Sequence, residues 1–502
     1  MFSMGWRNPL LGAACSAVIL GVTGLALAQQ TPAPAAKAPA VAPAPAVAAV
    51  ADKDWTDDWK QPTSWFKWGA DERIRQEYVH NPFFFETTPP GNEWNFNRFR
   101  TRVWGTVSPC DQFEANIRLT NEIRYWWTPA SKPDAASDND GPWDWSDIVF
   151  DNLNIKFKNL FETKSALTIG RQDIILGDGW LVLEGTPLDG SRTIYFDAAR
   201  LNIDLPSAKS TVDLIFIQQY SDPDAWLPAM NSRSYPLTNE QDQTGAILYV
   251  TNKSLENTQI DGYFIYKHSS EERAELIHDG TAGGPTSDQG DVYTVGTRVV
   301  HNFNKNWVAR AEGAYQFGSR NNPSMFGAQE NDLSAWGMTS RVTYKMNDDW
   351  NNQFWVGLEM LSGDDPNSGT NTQFDPLWGR WPQFSELYVY PYATETRIAE
   401  TTNLIRPNIG WSANPDKKID LTATYQPMWA FENTRFDQGS VGFGSGDFRG
   451  HLVTAMFKYK FNKHMAGHLL GEYFFTGNFY EAGGPRNEDD IAYVRGELVF
   501  SF

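Results

Sequence analysis

Residues 66–78 read FKWGADERIRQEY and residues 97–102 read NRFRTR. In the first stretch Lys67, Asp71, Arg73, Arg75 and Glu77 share one parity, while Phe66, Trp68, Ile74 and Tyr78 share the other. In the second, Arg98, Arg100 and Arg102 alternate with Phe99, Thr101 and Val103. A strand turns successive side chains to opposite faces, so this period of two sorts charge onto one face and apolar surface onto the other. The sorting recurs where Glu114, Arg118, Glu122 and Arg124 oppose Ile117, Leu119, Ile123 and Tyr125. It returns at the C-terminus, with Arg495 and Glu497 against Val494, Leu498, Phe500 and Phe502.

Outward from these stretches, the same rhythm predicts strands at 65–79, 96–108, 112–126, 148–159, 165–173, 191–203, 209–220, 243–252, 258–268, 291–302, 307–318, 333–346, 350–361, 401–411, 418–430, 449–461, 464–475 and 490–502. Short connections such as 303–306, 347–349 and 462–463 carry Asn, Asp and Lys suited to tight turns. Long ones, 80–95, 127–147, 174–190, 221–242, 269–290, 362–400 and 431–448, are rich in Gly, Pro, Asn and Asp. A large soluble all-β protein has no reason to alternate so regularly. Bacterial outer-membrane barrels do, with short periplasmic turns and long extracellular loops. The prediction is an all-β chain: a single transmembrane antiparallel up-and-down β-barrel of about 18 strands. In lipid the apolar parity faces out. The charged interior is then expected to hold water, because unpaired buried charges are too costly.

Before the barrel, Arg7 precedes an apolar run, 10–28, that ends in Ala26-Leu27-Ala28. This reads as a secretory signal peptide, 1–28, and the small-residue exit fits cleavage better than a retained anchor. Leu11 lies four residues before Cys15 rather than three, which argues against a lipoprotein signal. Residues 29–62 form an Ala/Pro-rich periplasmic linker and a polar lead-in, and 63–502 the barrel. The mature chain would keep Cys110 alone, so no intrachain disulfide is expected. The formal net charge of −19 argues against a nucleic-acid partner. It leaves room for an anion-conducting lumen, where the position of a charge matters more than the sum. Aromatic residues make up 14% of the chain, including 21 Trp, a load that suits interfacial girdles or carbohydrate contact.

The candidate selectivity device is the set of lumen-parity cations: Arg98, Arg100 and Arg102 in a row, Arg73 and Arg75 on the preceding strand, Arg118 and Arg124 on the next. Guanidinium stays charged and offers bidentate contacts to carboxylates. Lys156, Lys158, Arg310, Arg341, Arg406, Lys458 and Arg495 share the lumen parity. The competing reading is structural, with Arg–Glu ladders fixing the wall through Glu77, Glu114, Glu122, Glu312, Glu359, Glu472 and Glu497. Enzymatic signatures are poor. Gly177-Asp178-Gly179 lacks the third glycine of a dinucleotide loop, and Gly442-Phe443-Gly444-Ser445-Gly446 has its serine out of register for a nucleophile elbow. Asp138, Asp140 and Asp144 form a weak candidate calcium loop whose first ligand position is occupied by Ala136, and a solvated acidic loop is the competing reading. No cofactor is implied.

Three segments resemble the alginate export family of outer-membrane barrels: Gly170-Arg171-Gln172-Asp173 with the following 174–179, residues 192–201 (RTIYFDAARL), and the basic stretch 97–102. The resemblance implies a monomeric eighteen-stranded barrel with an Arg-lined constriction for a polyuronate chain. It implies Arg98, Arg100, Arg102, Arg171 and Arg200 as pore contacts, with Asp173 and Asp197 as counter-charges. Arg171 has the parity of Ile169, so turning it inward requires a local bend. The expected partners are outer-membrane lipid and lipopolysaccharide, an anionic poly- or oligosaccharide, and a docking periplasmic secretion complex. No short-side turn is long enough to plug the barrel, so a gate must come from the long loops, of which 362–400 is the largest. The rivals are a general or carbohydrate-uptake porin using Trp104, Trp126, Trp127, Trp355 and Trp381, a barrel-embedded enzyme, and a receptor or adhesin working through its loops.

Overall fold

The alternating segments become strands. The computed structural model describes residues 56–82, 92–129, 141–184, 195–221, 226–231, 241–270, 289–321, 330–365, 368–396, 399–433, 444–481 and 489–502. The first strands are β1 (Phe66–His80), β2 (Glu93–Cys110), β3 (Phe113–Thr128), β4 (Trp143–Leu160) and β5 (Ser165–Gln172). Two-residue strands β6 (Ile174–Ile175) and β7 (Leu183–Glu184) form a separate hairpin. Then come β8 (Phe196–Leu205), β9 (Ser210–Gln219), β10 (Gln243–Asn252), β11 (Thr258–Ser269), β12 (Gly290–Asn302) and β13 (Trp307–Asn321). The remainder are β14 (Glu330–Lys345), β15 (Gln353–Leu361), β16 (Leu404–Asp416), β17 (Ile419–Trp429), β18 (Phe448–Lys460), β19 (Met465–Thr476) and β20 (Ile491–Ser501). Outside the hairpin each strand pairs antiparallel with the next, β5 pairs with β8, and β20 returns to β1. The sheet is a closed barrel of 18 strands. Closure removes the free edge, as hydrocarbon surroundings demand. Short turns lie at one end with both barrel termini, and long loops at the other.

Parity reads out as burial. Along β1, Asp71, Arg73, Arg75 and Glu77 are buried while Ile74 faces out. Val103, Ile117, Leu248, Phe264, Val295, Val356, Ile409, Val453, Leu469 and Val494 carry the exposed apolar band around the wall. So much contiguous apolar surface is an aggregation hazard in water and a solvated surface in a bilayer. Exposed aromatics gather at the strand ends: Trp65, Phe161, Phe303, Trp307, Trp350, Phe461 and Phe502 at the short-turn end, and Trp127, Trp143, Trp145, Tyr220, Tyr473 and Phe475 at the other. These are the two interfacial girdles.

The expected water-filled interior needs correcting. Toward the long-loop end, lumen-facing positions are also apolar: Ile215, Ile217, Ile247, Ile265, Val292, Leu361, Leu452, Phe474 and Ile491. Two loop segments fold into the lumen against them. Residues 174–184 bring Ile174, Leu176, Trp180 and Leu181, and residues 362–403 bring Phe374, Leu377, Trp378, Leu387, Tyr388 and Tyr392. The segments join one another through the Trp378 N–H to the Leu181 carbonyl, 3.0 Å, and Gln383 Nε2 to the Gly179 carbonyl, 2.5 Å. Gly245 makes room for this seam, since a Cβ there would lie 2.4 Å from the Trp378 ring. The strand segments read in isolation could not reveal that the loops would supply apolar partners. Residues 1–55, on which the expected signal peptide and most of the expected linker fall, lie outside the described residues.

Candidate functional site

Two walls of the lumen carry arginines. On the first, Arg73 stands opposite Arg100, and Arg75 opposite Arg98, which stands opposite Arg124. Like charges in direct register repel, so carboxylates interleave them. Arg98 meets Glu77 and Glu122, each at 3.0 Å. Arg73 meets Glu122 at 3.1 Å, Arg75 meets Glu497 at 2.6 Å and Glu77 at 3.3 Å, and Arg124 meets Glu122 at 3.3 Å. Arg100 and Arg102 share Asp71, at 3.6 and 2.5 Å. Arg118 holds Asp151 at 2.7 Å and Asp173 at 3.0 Å. The row on β2 has no acid within it, but the adjoining strands supply one for every member. Most of these groups are buried.

The second wall lies across the barrel. Arg310 on β13 and Arg341 on β14 are directly opposite one another. Among the described residues Arg341 makes no hydrogen bond or ion pair, and its guanidinium lies 3.8 Å over the Trp355 ring. Arg310 reaches Asp178 at 3.3 Å. Arg406 on β16 meets Glu359 at 2.6 Å, hydrogen-bonds to Gln426, and stacks 4.1 Å over Phe384. Arg298 on β12 holds Asp261 and Asp178 at 2.8 and 2.7 Å. These cations line a chamber of about 800 Å³ together with Trp355, Trp381 and Gln383.

Below, at the short-turn end, a cavity of about 1130 Å³ is lined by Lys67, Arg102, Trp104, Asn116, Arg118, Asn154, Lys156, Lys164, Arg200 and Asn202. Arg200 is paired there with Asp213 at 2.8 Å, and Lys158 with Glu114 at 2.8 Å.

Arg171 does not face this lumen. Gly170 has φ of +118°, yet β4 and β5 stay in continuous register around it, so no bend reverses parity. Arg171 keeps the side of Ile169, at the outer end of β5. It pairs with Asp197 at 2.8 Å and lies 3.7 Å over Tyr195, with Trp226 donating to the same carboxylate at 2.8 Å. Asp138 and Asp140 lie outside the described residues, and Asp144 is buried within β4 opposite Arg124 rather than in a loop. The tryptophans form no single track. Trp126 is buried against Trp94 and Phe96, Trp127 faces outward, and Trp104 lies in the lower cavity, away from Trp355 and Trp381. Arg298 and Asp178 were not legible as site residues. One stands alone among apolar neighbours, and the other sits in a glycine turn.

The in-folded 362–403 segment is fastened to the wall. Arg449 Nη1 donates to Glu395 at 2.5 Å and Nη2 to the Asn403 carbonyl at 3.0 Å. Tyr480 donates to Glu395 at 2.7 Å, and burial pushes the Tyr388 hydroxyl up to about 12, so it stays neutral beside them. Lys267 and Arg320 hold Asp375 at 3.1 and 3.6 Å, and Arg320 holds Glu400 at 2.9 Å.

The sequence matches the family described as alginate export over residues 64–494. No curated protein matches it by sequence. In structure it resembles Acinetobacter baumannii OccAB4, at 10% identity and a TM-score of 0.52, covering 88% of this chain and 100% of that one. It resembles Pseudomonas aeruginosa OccK9 (OpdG) at 12% identity and a TM-score of 0.52, covering 87% and 98%. At such identities the two structures share the barrel fold with this chain.

Proposed function

Because the chain belongs to the alginate export family and forms an outer-membrane β-barrel channel, we propose that its cargo is an anionic poly- or oligosaccharide of the alginate kind. The observation that carries this reading is the Arg310–Arg341 pair. Two cations stand side by side in an open chamber, where Asp178 of the in-folded hairpin reaches Arg310 and Arg341 has no ion-pair partner among the described residues. Guanidinium edges accept a carboxylate bidentately, and Trp355 and Trp381 present flat apolar faces to a sugar ring. Such sites replace water around each carboxylate yet stay weak enough for the chain to move on. The lower cavity, with Lys67, Lys156, Lys164 and Arg200, supports loading from the periplasmic side.

The test is planar-bilayer conductance of the refolded protein under a salt gradient, with oligouronates titrated in. Anion preference and oligouronate block, both weakened in the Arg310→Gln/Arg341→Gln variant, are expected. Absent ion selectivity with block by neutral oligosaccharides alone overturns the reading in favour of a carbohydrate porin.

A further inference from the structure

The tripeptide Gly177-Asp178-Gly179 forms the tip of the in-folded hairpin. Both glycines have positive φ, +59° and +82°. At Gly177 a Cβ would lie 2.9 Å from the Tyr249 hydroxyl and 3.1 Å from Arg298 Cδ, so glycine alone lets the tip come this close. The hairpin leaves the β5–β8 wall and crosses the lumen to β12 and β13. There Asp178 accepts from Arg298 Nη2 at 2.7 Å and from Arg310 Nη1 at 3.3 Å.

The acids on this wall differ in kind. Asp261 is fully buried, holds the other edge of Arg298 at 2.8 Å, and accepts from the Tyr249 hydroxyl at 2.9 Å. Glu312 is buried and accepts from the Tyr263 hydroxyl at 3.0 Å. Asp178 and Arg310 have side chains 35% and 38% exposed in the chamber that Arg341 lines, and of the two cations that hold Asp178 only Arg298 is buried, at 8%. Breaking a buried pair leaves an uncompensated charge, whereas an exposed pair is weak and exchanges with solvent.

We propose that Asp178 is a tethered, displaceable carboxylate occupying a carboxylate-binding site on the β12–β13 wall. A ligand carboxylate takes its place on Arg310 and the free edge of Arg298, with Arg341 beside it. The exchange is like for like, so no charge is left unpaired on the wall. The ligand class is a single carboxylate on a slim saccharide or small organic acid, and the inference rests on the anionic-cargo reading above. A tethered competitor acts at a high effective concentration and keeps the site weak, which is what passage requires.

The experiment compares galacturonate block of the full-length channel with that of Asp178→Asn in planar bilayers, with galactose as the neutral probe. Asp178→Asn is expected to be half-blocked at about tenfold lower galacturonate, the scale of one charge-assisted contact. Adding Arg310→Gln should cancel that gain, and galactose should be unaffected. Glu359→Gln removes a carboxylate that pairs with Arg406 in the same chamber without removing the competitor, so it should shift ion selectivity with little tightening. Equal tightening in Glu359→Gln and Asp178→Asn overturns the tether in favour of a general field effect. Galacturonate block that is no tighter in Asp178→Asn overturns it alone. If galacturonate blocks neither protein and Arg310→Gln/Arg341→Gln leaves ion preference unchanged, the anionic-cargo reading falls with it.

Discussion

On the wall of β1–β3, the guanidiniums of Arg73, Arg75, Arg98, Arg100, Arg102, Arg118 and Arg124 interleave with Asp71, Glu77, Glu122, Asp151, Asp173 and Glu497. On the wall of β13 and β14, Arg310 reaches Asp178 of a hairpin that comes from elsewhere, while Arg341 beside it lies over the Trp355 ring. The first wall has more cations, and every one of them has a carboxylate partner. In a confined, partly dry space each buried pair cancels at short range, while an uncompensated charge is screened little. A run of arginines in a strand therefore measures how much charge the wall must balance. The charge offered to a passing anion is what the balance leaves over.

The sharpest way to break this comparison is to release the segment that narrows the space between the walls. Arg449→Leu leaves Glu395 buried without its cation, a loss of about 3–5 kcal/mol for a broken buried pair. The 362–403 segment should detach, and single-channel conductance in bilayers should rise several-fold. Unchanged conductance would mean that Lys267 and Arg320 suffice to hold it. Next in size is the contrast between the walls. Arg310→Gln/Arg341→Gln should raise the half-blocking oligouronate concentration by about tenfold or more, equivalent to about 1.4 kcal/mol. Arg98→Gln/Arg100→Gln/Arg102→Gln leaves Asp71, Glu77 and Glu122 short of cations, so its main effect should be a lower unfolding temperature in detergent. A larger loss of block from the triple variant than from the pair would reverse the assignment. The smallest effect belongs to the lower cavity. Lys156→Gln/Lys164→Gln should slow oligouronate capture from the periplasmic side at low salt. The difference should vanish near 1 M salt, where the screening length is about 3 Å.

Most of the barrel could be read from the chain because its signal is local. Alternation in 66–78 and 97–102 placed β1 and β2, and the lumen parity of Asp71, Arg73, Arg75 and Glu77 emerged as written. β4 was less legible: it begins at Trp143, before the predicted start, because bulges opposite Arg118 and Asn121 break the period. Arg341 and Arg406 could be named as lumen cations from parity, and their differing fates could not. Arg406 finds Glu359 on the neighbouring strand, whereas Arg341 finds a Trp355 ring. Arg171 carried a family resemblance inward that its own parity opposed, and parity prevailed.

By itself, the sequence determined the all-β class, the strand rhythm, the facing of the alternating side chains on β1, β2, β3 and β20, and the end at which the loops are long. These follow from a two-residue period and from the cost of unsatisfied backbone in lipid. Only the tertiary structure decided which charges cancel, that 174–184 and 362–403 fill the upper lumen, and that a glycine-flanked Asp178 crosses it to Arg310. Those outcomes depend on contacts between separate strands and loops, 21 positions apart for Arg98 and Glu77 and 132 for Arg310 and Asp178, which no local pattern records.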